Sequence, residues 1–464
     1  MSAAGSPPMI LVSTYESGHQ PLGLAAPAAA LRAAGFDVAC LDLAVETANV
    51  DLLRAAKLIA ISIPMHTAAR LGVAFARRVR ALNPGAHLAF YGLYAAPLAP
   101  HLAEAGLADS TIGGEYEPGL VALAHRILSR VDPPPATVST NELQFLRQRY
   151  PIPDRTGLPA LDHYARLVHG HREALAGYVE ATRGCAHTCT HCPITPVYAG
   201  RLRLVQPEVV LADIAQQVAA GATHITFGDP DFFNARPHAL GIVDALHQRH
   251  PSVTFDVTVK VEHLIEHADV LPRLRELGCL FVTSAFESTN ATILHELQKG
   301  HSPADLDRAL QLASAAGLVL RPTWVPFTPW TTLNDILRLL DFVESRGLVR
   351  LVQPVQYALR LLLPPGSPLI DRIRATGHLT GFDLEGLTYT WSSPDPRVDA
   401  LQSELMAITE SAAASHDGAA EPVEQTFARV KRAACRAASG YDEPVTVAAQ
   451  PQRPVPGLTE AWFC

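Results

Sequence analysis

Cys185, Cys189 and Cys192 fall within eight residues, separated by three and then two positions, directly after the strand-like run 177–184. Thiolates are soft ligands that favour iron-sulfur clusters or zinc. A loop this short can wrap three of them around three corners of a cubane cluster, which leaves the fourth iron without a protein ligand. An open metal position is where substrate chemistry takes place, whereas a closed four-ligand site is usually structural. A zinc site of the same cysteines with His187 or His191 is the alternative, since both histidines lie on the loop. Zinc sites more often show two separated Cys-x2-Cys halves.

The spacing, together with Pro193 after the last cysteine, resembles the cluster loop of the radical S-adenosylmethionine (SAM) enzymes. The resemblance implies a four-iron four-sulfur cluster on Cys185, Cys189 and Cys192 whose open iron takes the amino and carboxylate groups of SAM. It also implies cleavage of SAM to a 5'-deoxyadenosyl radical that abstracts hydrogen from a substrate. An electron donor such as flavodoxin or ferredoxin is then a partner.

The rest of the composition is compatible with such an enzyme. The 464 residues are enough for two or three domains, and 48% apolar with 18% charged residues is globular rather than disordered. A net charge of -8 argues against a large nucleic-acid footprint, which needs a basic face. The seven cysteines are an odd number, no apolar signal region opens the chain, and no long uncharged run reads as membrane-spanning. The expected location is the reducing cytoplasm.

The elements that must position the loop fall into five stretches: 1–131, a linker at 132–176, 177–363, 364–440, and a proline-rich tail at 441–464. The first alternates short β-like runs with helical ones, at 9–14, 37–43, 58–63, 87–92 and 108–113, the pattern of a doubly wound parallel sheet. Ligands in such sheets sit beyond the carboxyl ends of the strands. The placing there of Ser62, Gly92, Gly113 and Gly114 resembles the cobalamin-binding domain that precedes many radical SAM enzymes. Domains that ligate cobalt from below carry Asp-x-His-x-x-Gly after the first strand; this chain has Glu16-Ser-Gly-His19 instead. His19 and His66 are the candidate cobalt ligands, and a surface histidine is the plain alternative for either.

From 177 the chain shifts to longer β/α units ending near 363, with later strands read at 224–228, 253–259, 280–284, 318–321 and 349–353. Six units rather than eight predict a partial (β/α)6 TIM-type barrel, the fold the resemblance also implies. Two helices, 398–413 and 423–438, are expected to cap its open side, giving the whole chain an α/β fold with a helical C-terminal extension. The active site of a parallel barrel lies at the carboxyl ends of its strands. That rule collects Gly228, Asp229 and Asp231 after the second strand, where the family holds the methionyl ammonium. It also collects Lys260 and Glu262 after the third strand, then Ser284, Phe286, Glu287 and Ser288 after the fourth. Arg321 and Thr323 follow the fifth, and Gln353 and Gln356 the sixth. Glu287 is a candidate for the ribose hydroxyls or the methionyl amine, and Arg321 for the SAM carboxylate. Helix caps and rim salt bridges are the ordinary roles for such residues. Trp324, Phe327, Trp330 and Tyr198 are candidates for lining a substrate pocket.

Cobalamin at the first domain implies carbon methylation as the leading outcome, with other radical rearrangements as the alternative. A tRNA methylthiotransferase needs three more cluster cysteines near the N-terminus, where this chain has only Cys40. A non-catalytic cobalamin or metal sensor is the rival of a different class. The last residues, Trp462-Phe-Cys464, resemble the end of a subgroup of cobalamin-domain radical SAM proteins that close with Cys-Cys-Ala-Glu-Pro or Cys-selenocysteine-Ala-Glu-Pro. On that reading the chain is a selenoprotein interrupted at a UGA codon after Cys464; a true stop is the alternative.

Overall fold

A computed structural model of the chain describes residues 8–128, 149–413, 421–442, 444–448 and 454–460. The first domain carries a five-stranded parallel sheet of β1 (Met9–Ser13), β2 (Val38–Asp42), β3 (Leu58–Ser62), β4 (His87–Tyr91) and β5 (Ser110–Ile112), in the order 2-1-3-4-5. Continuous apolar runs such as Ile10-Leu-Val and Leu58-Ile-Ala-Ile are what a strand covered on both faces requires. Alternate residues divide between two cores. Ile10, Val12, Ile59 and Ile61 meet Val73, Phe75 and Leu98 from helices His66–Leu82 and Ala95–Glu104. Met9, Leu11, Leu58 and Ala60 meet Leu24, Leu31, Leu120 and Leu123 from helices Leu22–Ala33 and Glu117–Leu128. All five expected strands of this domain are present.

The second sheet has seven strands. β6 (Arg166–His169) and β7 (Arg172–Val179) form a hairpin that starts inside the stretch read as linker. After a small antiparallel pair, β8 (Thr182–Gly184) and β9 (Leu202–Leu204), come β10 (His224–Phe227), β11 (Thr254–Thr258), β12 (Cys279–Glu287) and β13 (Val319–Trp324). β7 and β10 to β13 are parallel and in chain order, and they curl into a half barrel with helices outside. The expected sixth strand at 349–353 is not formed. Residues Val349–Leu351 are a 3-10 turn, and past β13 only an isolated parallel bridge joins Phe327 to Arg360.

The C-terminal region is not wholly helical. A hairpin of β14 (Leu379–Asp383) and β15 (Thr388–Trp391) reaches back to the first domain. There Phe382 stacks on His101 at 3.9 Å between ring centroids, and His66 Nε2 lies 2.6 Å from the Gly386 carbonyl. Helices Pro396–Ala413 and Val423–Ser439 pack against each other and against the 3-10 turns Val349–Leu351 and Pro354–Ala358, where Val398, Leu401, Phe427 and Val430 join the barrel core. The tail supplies the last strand, β16 (Gly457–Leu458), antiparallel to β6. Across the curl, Arg321 of β13 donates to the Pro456 carbonyl at 2.7 Å, so the two edges of the half barrel meet through one side chain. Cys464 lies outside the described residues. No helix among the described residues is long and apolar enough to cross a membrane.

Arg155, just before the barrel, joins the two sheets. Its guanidinium donates to both carboxylate oxygens of Asp213 at 2.6 and 2.8 Å, to the Tyr178 carbonyl, and to Gln20 of the first domain. Both Arg155 and Asp213 are buried, and breaking such a pair leaves a charge unpaired in the interior. Arg155→Ala is expected to cost about 3–5 kcal/mol, read as a lower urea midpoint, whereas an exposed ion pair such as Arg54 with Asp51 is expected to contribute under about 1 kcal/mol.

Candidate functional site

The three cysteines lie on the loop that leaves β8, and the entry to that loop is sterically fixed. Gly184 has φ +72°, and a Cβ there would sit 2.4 Å from the Arg201 carbonyl oxygen and 2.5 Å from the Tyr198 ring. Only glycine takes this turn without strain. The loop then folds on itself, with Cys192 N donating to the Cys189 carbonyl and Thr195 Oγ1 to the same oxygen. Burial raises the pKa of two of its thiols, and the neighbouring cysteines add to the effect. Cys192 is pushed up to about 12 and Cys185 is raised. Binding a metal here releases thiol protons.

The donor set fits a site-differentiated cluster. Among the described residues no fourth thiol approaches: Cys279 opens β12 and bonds the Phe281 carbonyl, Cys40 lies on β2, and Cys435 on a C-terminal helix. Neither loop histidine is turned to the sulfurs. His191 Nε2 is 3.1 Å from Glu287 Oε1, and His187 Nε2 is 3.3 Å from Asp231 Oδ2. A zinc site of three cysteines and one histidine would have to break one of these contacts. His187, Asp231 and His263 form a two-histidine, one-carboxylate group of their own. However, Lys260 Nζ donates to His187 Nδ1 at 3.0 Å, which leaves that ring's proton on Nε2, where a cation would have to bind.

Glu287 ends β12 at a register shift and has φ +62°. Burial acts to raise its pKa, but Lys299 Nζ at 3.1 Å and His191 outweigh it and hold the carboxyl at about 2. Lys299 is itself buried and its charge acts on Cys189 and Cys192 as well. A positive group thus stands beside two thiols that become anionic when they ligate metal.

The other expected site residues divide between the barrel mouth and places further away. Asp229 is buried and spoken for: its oxygens accept from Ala181 N at 3.0 Å and Thr182 Oγ1 at 2.6 Å, and burial lifts its pKa to about 7. Gly228 lies where a Cβ would be 1.9 Å from the Tyr178 hydroxyl. Asp231 accepts from Phe233 N and faces His187 and His263. Glu262 pairs with Lys260. Ser284 is fully buried with an unpartnered hydroxyl. β12 and β13 run further than the sequence indicates, to Glu287 and Trp324, so Ser284 and Arg321 sit within their strands instead of at the ends. Arg321 lies over Phe281 and is occupied by Pro456. Gln356 Oε1 accepts from Trp324 N, and Ser288 Oγ from Asn290 N. Trp324 and Phe327 are core residues, Tyr198 donates to Glu115, and Trp330 packs in a small apolar cluster with Leu361 and Ile370.

In the first domain the strand ends are filled by the chain itself. Glu16 accepts from Gly23 N, and burial lifts its pKa to about 8. A Cβ on Gly23 would lie 2.6 Å from Ser62 Oγ, and one on Gly113 would lie 2.4 Å from Ala96 Cβ. Gly92 and Gly114 take φ +105° and +65°. His19 stacks on Tyr178 of the barrel at 4.7 Å. Its Nδ1 has no partner among the described residues, and burial lowers its pKa to about 4, so the ring is neutral. Arg183, Lys299, His263 and Asn234, which no motif or spacing marks, complete the arrangement.

A three-thiol loop at the mouth of a half barrel, behind a 2-1-3-4-5 sheet, defines a cluster-bearing barrel preceded by a doubly wound domain. Residues 179–343 match the Radical SAM superfamily, and the chain carries a radical SAM domain. It is 24% identical over 259 residues to the bacteriochlorophyllide d C-8(2)-methyltransferase of Chlorobaculum tepidum, covering 52% of this chain and 55% of that enzyme, so it spans little more than half of that relative. The fold matches that of the radical SAM methyltransferase TsrM from Kitasatospora setae, solved with tryptophan and a SAM analogue. The TM-score is 0.65 and identity 17%, over 94% of this chain and 96% of that one. It matches the cobalamin-dependent radical SAM enzyme OxsB, solved with aqua-cobalamin, at TM-score 0.65 and 14% identity over 93% and 72% of the two chains.

Two outcomes follow from the loop and its neighbours. Gly184→Ala is expected to cost about 1–3 kcal/mol through strain and to reduce iron uptake on reconstitution, measured as iron per chain. Glu287 has a folded pKa below its ordinary value of 4.5, so its pairing stabilises the chain above pH 4.5 and that contribution is lost as pH falls toward 2. In metal-free protein, wild type is expected to exceed Glu287→Gln by on the order of 3 kcal/mol above pH 5, with the gap closing on acidification.

Proposed function

We propose that this chain is a radical SAM enzyme that reductively cleaves SAM at a four-iron four-sulfur cluster and methylates a carbon centre with the help of cobalamin. The observation that carries the reading is the loop itself: three thiols within eight residues, no fourth thiol brought to the loop among the described residues, and both loop histidines turned onto carboxylates. The superfamily match and the methyltransferase name of the relative support it. A cluster on these thiolates supplies the single electron that breaks a sulfonium carbon-sulfur bond.

The chain's own residues have separate tasks. Cys185, Cys189 and Cys192 hold the cluster, and Lys299 offsets the charge of two of them. Asp229 anchors the strand that leads into the loop. Glu287 and Glu262 are the polar groups near the mouth proposed to orient SAM, with Ser284 further back on its strand; Arg321, bonded to the Pro456 carbonyl, takes no part while the tail is paired. In the first domain His19, whose neutral ring has an unpartnered Nδ1 among the described residues, would be the cobalt ligand, whereas His66 is already bonded to Gly386. The substrate is proposed to be a small molecule or peptide, the electron donor a flavodoxin or ferredoxin type of protein, and the compartment the reducing cytoplasm.

Anaerobically reconstituted protein given SAM and reductant is expected to release 5'-deoxyadenosine, and Cys189→Ala to lose both the cluster absorbance and that product. Cofactor binding without 5'-deoxyadenosine would instead indicate a sensor. Protein reconstituted with cobalamin is expected to retain one cobalt per chain. Absence of stoichiometric cobalt would reduce the first domain to a scaffold and leave rearrangement chemistry as the reading.

A further inference from the structure

The turn that follows β10 grips the first cysteine from two sides. Asp231 is fully buried and starts the 3-10 turn Phe232–Ala235: its Oδ1 accepts from Phe233 N, while Oδ2 lies 3.3 Å from His187 Nε2 and 2.6 Å from His263 Nδ1. Three positions on, Asn234 Nδ2 donates to Cys185 Sγ at 3.3 Å, and the backbone Asn234 N returns to the Asp231 carbonyl. One turn therefore holds both Cys185 and the histidine two residues beyond it. The contacts recorded for Cys189 and Cys192 are of another kind. They feel the Lys299 charge, and among the described residues no side-chain amide donates to either.

We infer that Asn234 is a positioning residue that raises the reduction potential of the cluster through its hydrogen bond to Cys185, while Asp231 fixes that geometry by holding His187. The inference rests on the proposed cluster. Reducing a cluster increases the negative charge on its thiolate ligands, so an N–H dipole aimed at one sulfur stabilises the reduced state more than the oxidised one. Hydrogen bonds to cluster sulfurs are among the determinants of its potential, and residues beyond the ligands set ligand orientation. The effect is directional: a bond to one sulfur distinguishes the Cys185 corner from the two that Lys299 serves by charge alone.

The test is a redox titration of the reconstituted full chain, followed by electron paramagnetic resonance of the reduced cluster. Asn234→Ala is expected to lower the midpoint potential at unchanged iron content. Asn234→Asp, which keeps the volume and places a carboxylate against the sulfur, is expected to lower it further. Asn234→Ser, which keeps a donor, is expected to fall between wild type and Asn234→Ala. If Asn234→Ala does not hold its cluster, the order of wild type, Ser and Asp variants carries the comparison. Equal potentials across these proteins overturn the inference and leave the proposed function standing. A wild-type chain that assembles no cluster overturns that function and the inference with it.

Discussion

Arg183 is the side chain on which the geometry of the site depends. It immediately precedes Gly184, on the strand that delivers the cysteine loop, and it is buried among three carboxylates from both halves of the chain. Glu117 lies at 2.8 Å, Glu180 at 3.1 Å and Glu115 at 3.3 Å. Tyr116 and Tyr150 cover its guanidinium. Burial disfavours the charged guanidinium, but the acids around it raise its pKa well above the ordinary value. An isolated charge at this depth would be prohibitive, so the acids and the arginine must be present together. Glu115 extends the connection, accepting from Tyr150 and from Tyr198 just beyond the cysteines. The loop that follows β5 and the cysteine loop are thus held by a single polar cluster.

The same logic of buried, paired charge recurs at the mouth. Asp231 with two histidines and Glu287 with Lys299 and His191 are carboxylates kept ionised in the interior by cationic or imidazole partners. Asp229 and Glu16 lack such partners, and their pKa values rise accordingly. This separation sorts the acids by task. Those with raised values cap backbone amides and hold strands in place. Those with depressed values lie against residues of the cysteine loop, where a fixed negative charge orients the imidazoles that frame the thiols. Histidines drawn into these pairs are withdrawn from metal ligation, and that leaves the sulfurs as the ligand set.

How much of this was legible in the sequence depends on the range of the interaction. Strands with continuous apolar runs, such as Leu58-Ile-Ala-Ile, were read nearly to the residue, because burial on both faces leaves a local signature. The cysteine loop was legible because ligand spacing is local too. The strand at 349–353 is not formed: Val349-Arg-Leu-Val has the composition of a strand, yet Val349–Leu351 turns as a 3-10 segment beside the β13 edge instead of pairing with it. Arg321 was expected at a strand end, but the strand continues through Pro322 at the sheet edge, where a missing donor is tolerated. Asn234, Lys299 and Arg183 gave no warning, since a polar residue that acts through a contact tens of positions away has no periodic or spacing signal.

The tail shows the same limit and a consequence for the barrel. Proline-rich and polar, residues 454–460 read as a loose end, yet Gly457 and Leu458 pair with β6, and Tyr15 of the first domain donates to Glu460. A Cβ on Gly457 would meet the Arg321 guanidinium at 2.3 Å, so that residue has to be small for the arginine to reach the Pro456 carbonyl. A five-stranded parallel curl cannot close on itself as an eight-stranded one does, because its edges stay apart. Here two antiparallel strands and one partly buried arginine span the gap. The half barrel is thereby walled on the side of β6, and Arg321 is held away from the carboxyl ends of the strands for as long as the tail remains paired.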